Sequence, residues 1–358
     1  MIPCDTISSQ MILPTLMLLT LAADQTVYVG TRTSTGRAKG VYRMQFNPAT
    51  GDLSNPQLAA ETTDPSFIAV HNTRPLLFAV VASPEGQLKS FSRSADGSLT
   101  LLNAVSTKGA GPAHVQIDRS GQWVASANYG SGSASIHRIE ADGRLSEATD
   151  FVQHTGSSVN EARQKGPHAH SANFSFDNKF LYIADLGLDE VKVYAFDSKL
   201  GKLTPQPSLL TPKGAGPRHL ALGKKRIYVL NEITSSVSVF EKGKLLETVS
   251  TLPTGFTGPT TCAEVLIDAK EKFLYASNRG ADTISVFRIG KTLTKIADTK
   301  VGKVPRGFVF SPDYRFLIVG AQDDDLVQSY RVDPTTGLLT PSGTTVKIGS
   351  PISFRFAK

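Results

Sequence analysis

The strongest constraint on this chain is a unit that recurs along it. Each copy has a Pro-bearing or polar strand entry, a hydrophobic strand, a second strand, a short polar tip and a third strand. The copies start near Asp64, Gly111, Gly166, Gly216, Thr261 and Val304. Successive starts are 47, 55, 50, 45 and 43 residues apart. Inside the copies apolar residues alternate, as at Phe180 and Tyr182 or Val191 and Val193. Period two over short runs bounded by Gly, Asn, Asp and Pro specifies half-buried antiparallel strands. Several strands repeating every 40–50 residues specify the blades of a β-propeller.

The turns agree with this reading. Asn47-Pro48-Ala49-Thr50-Gly51-Asp52, Ala95-Asp96-Gly97, Ala141-Asp142-Gly143 and Asp333-Pro334-Thr335-Thr336-Gly337 each supply a hairpin between a third and a fourth strand. Val27–Gly30 and Val41–Phe46 read as middle and outer strands that lack an inner one. Pro351–Phe356 reads as an inner strand that lacks its blade. Joining them makes a seventh blade and closes the ring, which removes the exposed edges of an open array. The expected fold is all-β, a seven-bladed β-propeller over residues 26–358 closed by pairing of the N- and C-terminal strands. Residues 1–25 form an N-terminal tail or a signal peptide.

That N-terminal stretch is ambiguous. Residues 11–23 (MILPTLMLLTLAA) have the length and the small-residue ending of a signal-peptide core, and are too short to span a bilayer. No Lys or Arg precedes them, so the usual positive segment is missing. Both a cytoplasmic and an exported protein are compatible with this. The two cysteines, Cys4 and Cys262, lie in the tail and at a blade entry, and suggest neither a structural disulfide nor a zinc site. The formal charge of +7 is spread along the chain with no basic run, which argues against a nucleic-acid arm. It is compatible with a small anionic ligand. A monomer without metal or cofactor is expected.

A propeller gathers equivalent positions of all blades around its axis, so stacking the copies locates a site. One column, the inner-strand entry, holds Ser66, Ala113, His170, Arg218, Ala263, Arg306 and Ile352. A second column, the tip after the second strand, holds Tyr129, Leu186, Glu232, Arg279 and Gln322, preceded by Asn128, Asp185, Asn231, Asn278 and Ala321. His170, Arg218, Glu232, Arg279 and Arg306 should therefore cluster at one mouth, with His168 beside them. Arginines present a planar fork that grips a carboxylate or phosphate and can stabilise an oxyanion. His170 or Glu232 could serve as general base toward water. Asn231, Asn278 and Gln322 are further candidates for substrate binding. The competing reading is that polar groups at blade entries tie neighbouring blades together, most of all His114 and His219 in the adjacent column, and that the Asn and Asp residues form turns.

These segments carry a resemblance. Gly156-Ser157-Ser158-Val159-Asn160 through Gly166-Pro167-His168-Ala169-His170-Ser171, Ala184–Asp189, Gly214–His219, Leu230-Asn231-Glu232, Gly255–Pro259, Ala276–Gly280 and Pro305–Phe308 resemble the seven-bladed lactonase propellers of the 6-phosphogluconolactonase type. They are also similar to the fungal carboxy-muconate lactonizing enzymes. In the muconate branch a His, two Arg and a Glu act in the site. By motif these fall on His170 or His168, Arg218, Glu232 and Arg279, residues the column argument had already singled out. Ala281 stands where the family commonly has His, and Ala321-Gln322-Asp323 departs from its usual last-blade motif. The fifth blade is short at Gly223-Lys224-Lys225. The resemblance implies hydrolysis of a sugar lactone, foremost 6-phosphogluconolactone, or else lactone-forming cycloisomerisation. A non-catalytic scaffold is the third alternative.

Overall fold

The computed structural model describes residues 23–83 and 85–357, so the expectations for residues 1–22, including Cys4 and most of the apolar run, lie outside the described residues. Among the described residues twenty-eight strands form seven four-stranded antiparallel sheets. Blade 1 joins Pro351–Phe356 as inner strand to Gln25–Thr31, Gly40–Phe46 and Leu53–Glu61. Blades 2 to 7 take their four strands in chain order, beginning at Ile68, Pro112, Ala169, Pro217, Thr261 and Pro305. Among the described residues no helix is long and apolar enough to cross a membrane.

Burial follows position in the blade. Second strands are largely buried because each lies between two neighbouring blades. Leu76–Val81, Trp123–Asn128 and Phe316–Ala321 are buried at every residue. Outermost strands face water, and Lys244–Ser250 has no buried residue. Gly51, Gly97, Gly143 and Gly337 have φ between 77° and 91° at the third-to-fourth-strand hairpins, which fits the turn chemistry. Trp123 is a core residue, with its indole N–H donating to the Ser198 carbonyl at 2.9 Å.

The N- and C-terminal strands pair as expected, antiparallel. Val27 pairs with Phe356, Tyr28 with Arg355 and Val29 with Phe354. Phe354 and Phe356 join Val27, Val29, Met44, Phe46 and Phe316 in one cluster across the seam of blades 1 and 7. Phe46 meets Phe316 and Phe356 edge-on at 5.6 and 5.4 Å. Gly30 is required there, since a Cβ would stand 2.5 Å from the Pro65 carbonyl oxygen. Closure aligns the inner strands around the axis, with their first residues and the second-strand tips at the same mouth.

Candidate active site

At that mouth lies a cavity of about 420 Å³. From the entry column it takes Ser66, Ala113, His170, Arg306 and Ile352, and from the tip column Tyr129, Glu232 and Arg279. Arg32, Asp64, Ala82 and Arg163 complete its polar and small-residue wall, with Gly111 and Pro112.

The centre of the cluster is Glu232, 6% exposed. Its Oε1 is 2.7 Å from Arg163 Nη2. Its Oε2 is 2.9 Å from Arg218 Nε and 3.1 Å from Arg279 Nη2. One carboxylate thus gathers guanidinium groups from blade 5, blade 6 and the loop between blades 3 and 4. Each is also fixed elsewhere: Arg279 Nη2 donates to the Cys262 carbonyl at 2.7 Å, Arg218 Nη1 to the Ala263 carbonyl, and Arg163 Nη2 to the Tyr129 hydroxyl at 3.2 Å. Burial alone would raise the Glu232 carboxyl, but Arg279, Arg218 and Arg163 outweigh it and hold it at about 2. Glu232 is therefore a permanent anion that orders the arginines.

Arg306 differs, since no carboxylate lies within 4 Å of it among the described residues and its buried Nε has no hydrogen-bond partner. Burial, then repulsion from Arg218 and Arg279, disfavours its charge. Arg32 stands on the same wall, and its guanidinium donates to the nearby Ser34 hydroxyl at 3.1 Å. Asp64 is spent on the Ser34 amide at 2.8 Å and the Thr33 hydroxyl at 3.2 Å. Four guanidinium groups of the wall (Arg32, Arg163, Arg279 and Arg306), with Arg218 behind Glu232 and outside the lining, thus stand against two carboxylates, Asp64 and Glu232. Such an excess of positive charge around one cavity is a built-in attraction for an anion.

His170, 5% exposed, meets the Tyr129 ring at 5.3 Å. Burial, then the Arg218 charge, pushes its imidazole well below the ordinary value, so it is neutral at pH 7. His168 lies beside the cavity rather than in its wall. Its ring stacks on Tyr129 at 4.6 Å, and its Nδ1 is 2.9 Å from the Tyr129 carbonyl oxygen.

The three amide candidates sit differently from what the sequence suggests. Asn231 and Asn278 are fully buried inside their own blades and do not line the cavity. The Asn231 amide donates to Ser236 and Ser238 at 3.0 and 2.9 Å, and that of Asn278 to Thr283 and Ser285 at the same distances. A side chain at the residue before the axial tip turns into the blade, so these residues fasten the tip whose next residue reaches the axis. Asp185 has the same task, accepting from the His168 and Gly187 amides at 2.7 and 3.0 Å. Gln322 is buried next to the tip of blade 7 and is likewise outside the lining.

Arg163 was not among the sequence candidates. It sits in a non-repeating loop that no blade alignment reaches. Buried Asp189 holds that loop, accepting from Ser158 Oγ at 2.5 Å, Gln164 Nε2 at 2.7 Å and the amides of Gly214 and Gly216 at 2.6 and 2.8 Å. Arg32 and Ala82 were legible in principle. Thr31 pairs with Pro351 as Asn231 pairs with Pro217, so Arg32 is the blade 1 counterpart of Glu232.

Comparison with known proteins agrees with this architecture. A family profile described as lactonase, 7-bladed beta-propeller, matches residues 26–356. The chain is 31% identical over 343 residues to a 6-phosphogluconolactonase of Bacillus subtilis, covering 92% of this chain and 97% of the relative. Its fold matches the crystal structure of a putative 6-phosphogluconolactonase from Bacteroides fragilis with a TM-score of 0.87 at 29% identity, covering 95% and 99% of the two chains. It matches a periplasmic gluconolactonase of Pseudomonas aeruginosa equally well, with a TM-score of 0.87, 29% identity, and 94% and 99% covered. With its ring matched over residues 26–356 and closed by pairing of its terminal strands, the chain belongs to the seven-bladed β-propeller lactonase family.

Proposed function

We propose that this protein hydrolyses a sugar lactone and that its substrate is 6-phospho-D-glucono-1,5-lactone. The observation that carries this reading is the excess of guanidinium groups around one cavity that also holds a neutral, buried imidazole. Arg306 and Arg32, with no carboxylate partner, suit the phosphate. Arg163, Arg218 and Arg279, ordered by Glu232, suit the carbonyl oxygen on which charge develops.

Of the two candidate bases the proposal takes His170, because both Glu232 oxygens are already engaged by guanidinium groups. A carboxylate held at about 2 by three guanidinium groups has little affinity for a proton at pH 7. His170 is neutral on the same wall, and its lowered basicity has to be offset by the groups around it when it takes a proton. In the proposed reaction water attacks the lactone carbonyl carbon while His170 takes a proton from it. The tetrahedral oxyanion rests among the arginines. It collapses by breaking the bond to the ring oxygen, which takes the proton back from His170 and leaves as a hydroxyl. The product is the open-chain aldonic acid, and no redox step or external reactant beyond water is needed.

The test is turnover by purified protein of 6-phosphogluconolactone, glucono-1,5-lactone and a carboxy-muconate, corrected for spontaneous hydrolysis. Hydrolysis of the phosphorylated lactone with the highest kcat/KM supports the reading. Turnover of the muconate alone would make the protein a cycloisomerase, and inactivity on all three would favour a scaffold.

A further inference from the structure

His170 does not stand alone in the axial channel. His219, next to it on the inner strand of blade 5, has its ring centroid 5.3 Å away at an interplanar angle of 67°. Behind His219, its Nδ1 lies 2.8 Å from Oε1 of Glu264 on the inner strand of blade 6. All three side chains are buried, with relative exposures of 5, 4 and 9% for His170, His219 and Glu264.

The hydrogen-bond pattern fixes the protons. An ionised carboxylate only accepts, so neutral His219 carries its proton on Nδ1 and leaves Nε2 as a bare acceptor. That Nε2 is buried and without a hydrogen-bond partner, and so is Nδ1 of His170. Two complementary ring nitrogens are thus left over in one enclosed cluster. Buried polar nitrogens are costly unless they serve each other or a ligand.

Resting on the lactonase reading, we propose that Glu264 and His219 form a positioning pair that stabilises the imidazolium of His170 during turnover. As His170 Nε2 takes the proton from attacking water, its Nδ1–H donates to Nε2 of His219, whose own Nδ1–H is anchored by the Glu264 carboxylate. No proton leaves the trio, and the proton on His170 Nε2 is the one returned to the departing ring oxygen. This places a third group behind the base, the arrangement by which an imidazole is oriented and its charge offset.

The surroundings make this support necessary. Arg218 and Arg306 both oppose a positive charge on His170. Around His219 stand neutral His114 at 5.5 Å, Phe67 at 5.6 Å, and the charges of Arg218 and Arg355. His114 cannot do the anchoring, because its Nδ1 accepts from the Ala172 amide at 3.3 Å. Glu264 is the one carboxylate bonded to this histidine group among the described residues.

Glu264→Gln is the decisive substitution. Glutamine keeps an acceptor oxygen for the Val265 amide, 3.0 Å from Oε1, and for His219, but removes the charge. The expected result is a kcat lower by about 10-fold or more with KM within about twofold, a fraction of the roughly 10²–10⁴-fold that a positioned general base itself contributes. Activity requires neutral His170. Without the Glu264 charge the imidazolium is less stable, so the acid limb of the kcat profile should move to lower pH. A folded Glu264→Gln variant with unchanged kcat and acid limb overturns the pairing and leaves the lactonase reading intact. Nitrogen NMR of imidazole-labelled wild type needs no turnover and no variant of Glu264. It should show His219 protonated on Nδ1, with the Nε2 shift changing in His170→Asn. An Nε2 shift indifferent to that substitution overturns the pairing whether or not any lactone is hydrolysed.

Discussion

Neutralising Glu232 is the sharpest test of the idea that one carboxylate orders the arginine cluster. Glu232→Gln keeps shape and removes the charge that faces Arg163, Arg218 and Arg279 at 2.7, 2.9 and 3.1 Å. The Glu232 carboxyl sits at about 2 against an ordinary 4.5. At about 1.4 kcal/mol per pKa unit, that depression corresponds to about 3 kcal/mol of stability. The sign follows from linkage. A folded-state pKa below the unfolded one makes the contribution complete above about pH 4.5, with progressive loss as pH falls toward 2. Wild type should therefore melt several degrees above Glu232→Gln at pH 7, and the gap should narrow as the pH is lowered from 4.5 toward 2.5. Calorimetric melting of both proteins across that range, at low salt, reads the effect. Equal melting temperatures at pH 7, or a gap that does not depend on pH, would refute the claim that Glu232 is an ionised keystone.

Three other outcomes are expected. Arg218→Lys keeps the charge but loses the fork that spans Glu232 and the Ala263 carbonyl, so kcat should fall about 100-fold in a lactone hydrolysis assay. Arg306→Gln should raise KM for the phosphorylated lactone by about 10-fold or more while leaving glucono-1,5-lactone within about twofold, since a charge-assisted hydrogen bond is worth roughly 1.5–3 kcal/mol; equal effects on both lactones would remove Arg306 from the phosphate subsite. Deleting residues 350–358 removes the inner strand of blade 1 and the buried rings of Phe354 and Phe356, worth roughly 1.5–3 kcal/mol each. The truncated chain should lose its cooperative melting transition, and an unchanged melting curve would sink the closure argument.

Much of this was legible because a closed repeat turns sequence spacing into geometry. Period two gives the facing of each residue, and the blade period stacks equivalent residues around one axis. His170, Arg218, Glu232, Arg279 and Arg306 could therefore be brought together from sites up to 136 residues apart, 306 minus 170. The same logic, carried into blades 1 and 2, reaches Arg32 and Ala82. It misleads at Asn231 and Asn278, one residue before the axial position, because neighbouring strand residues face opposite ways. It fails at Arg163, since a loop held by Asp189 has no period. The Glu264–His219 contact was hidden for another reason. His219 read as a blade tie and Glu264 was not singled out, and only the unspent ring nitrogen of His219 shows an additional capacity.

The seam in blade 1 also sets an order of events during synthesis. Strand Gln25–Thr31 emerges among the first described segments, yet its partner Pro351–Phe356 is among the last. From Glu61 to Phe356 the ribosome must add 295 residues, 356 minus 61. At 5–20 residues per second that takes about 15–60 s. Throughout that interval the nascent chain carries an unmated strand edge beside Val27 and Val29, a template for pairing with a neighbouring polypeptide. The same contact has very high contact order, so the last step of folding is the slowest kind to nucleate. Holdase chaperones acting on unfinished chains should therefore engage the first blade, and release of the full-length product should coincide with arrival of its final strand.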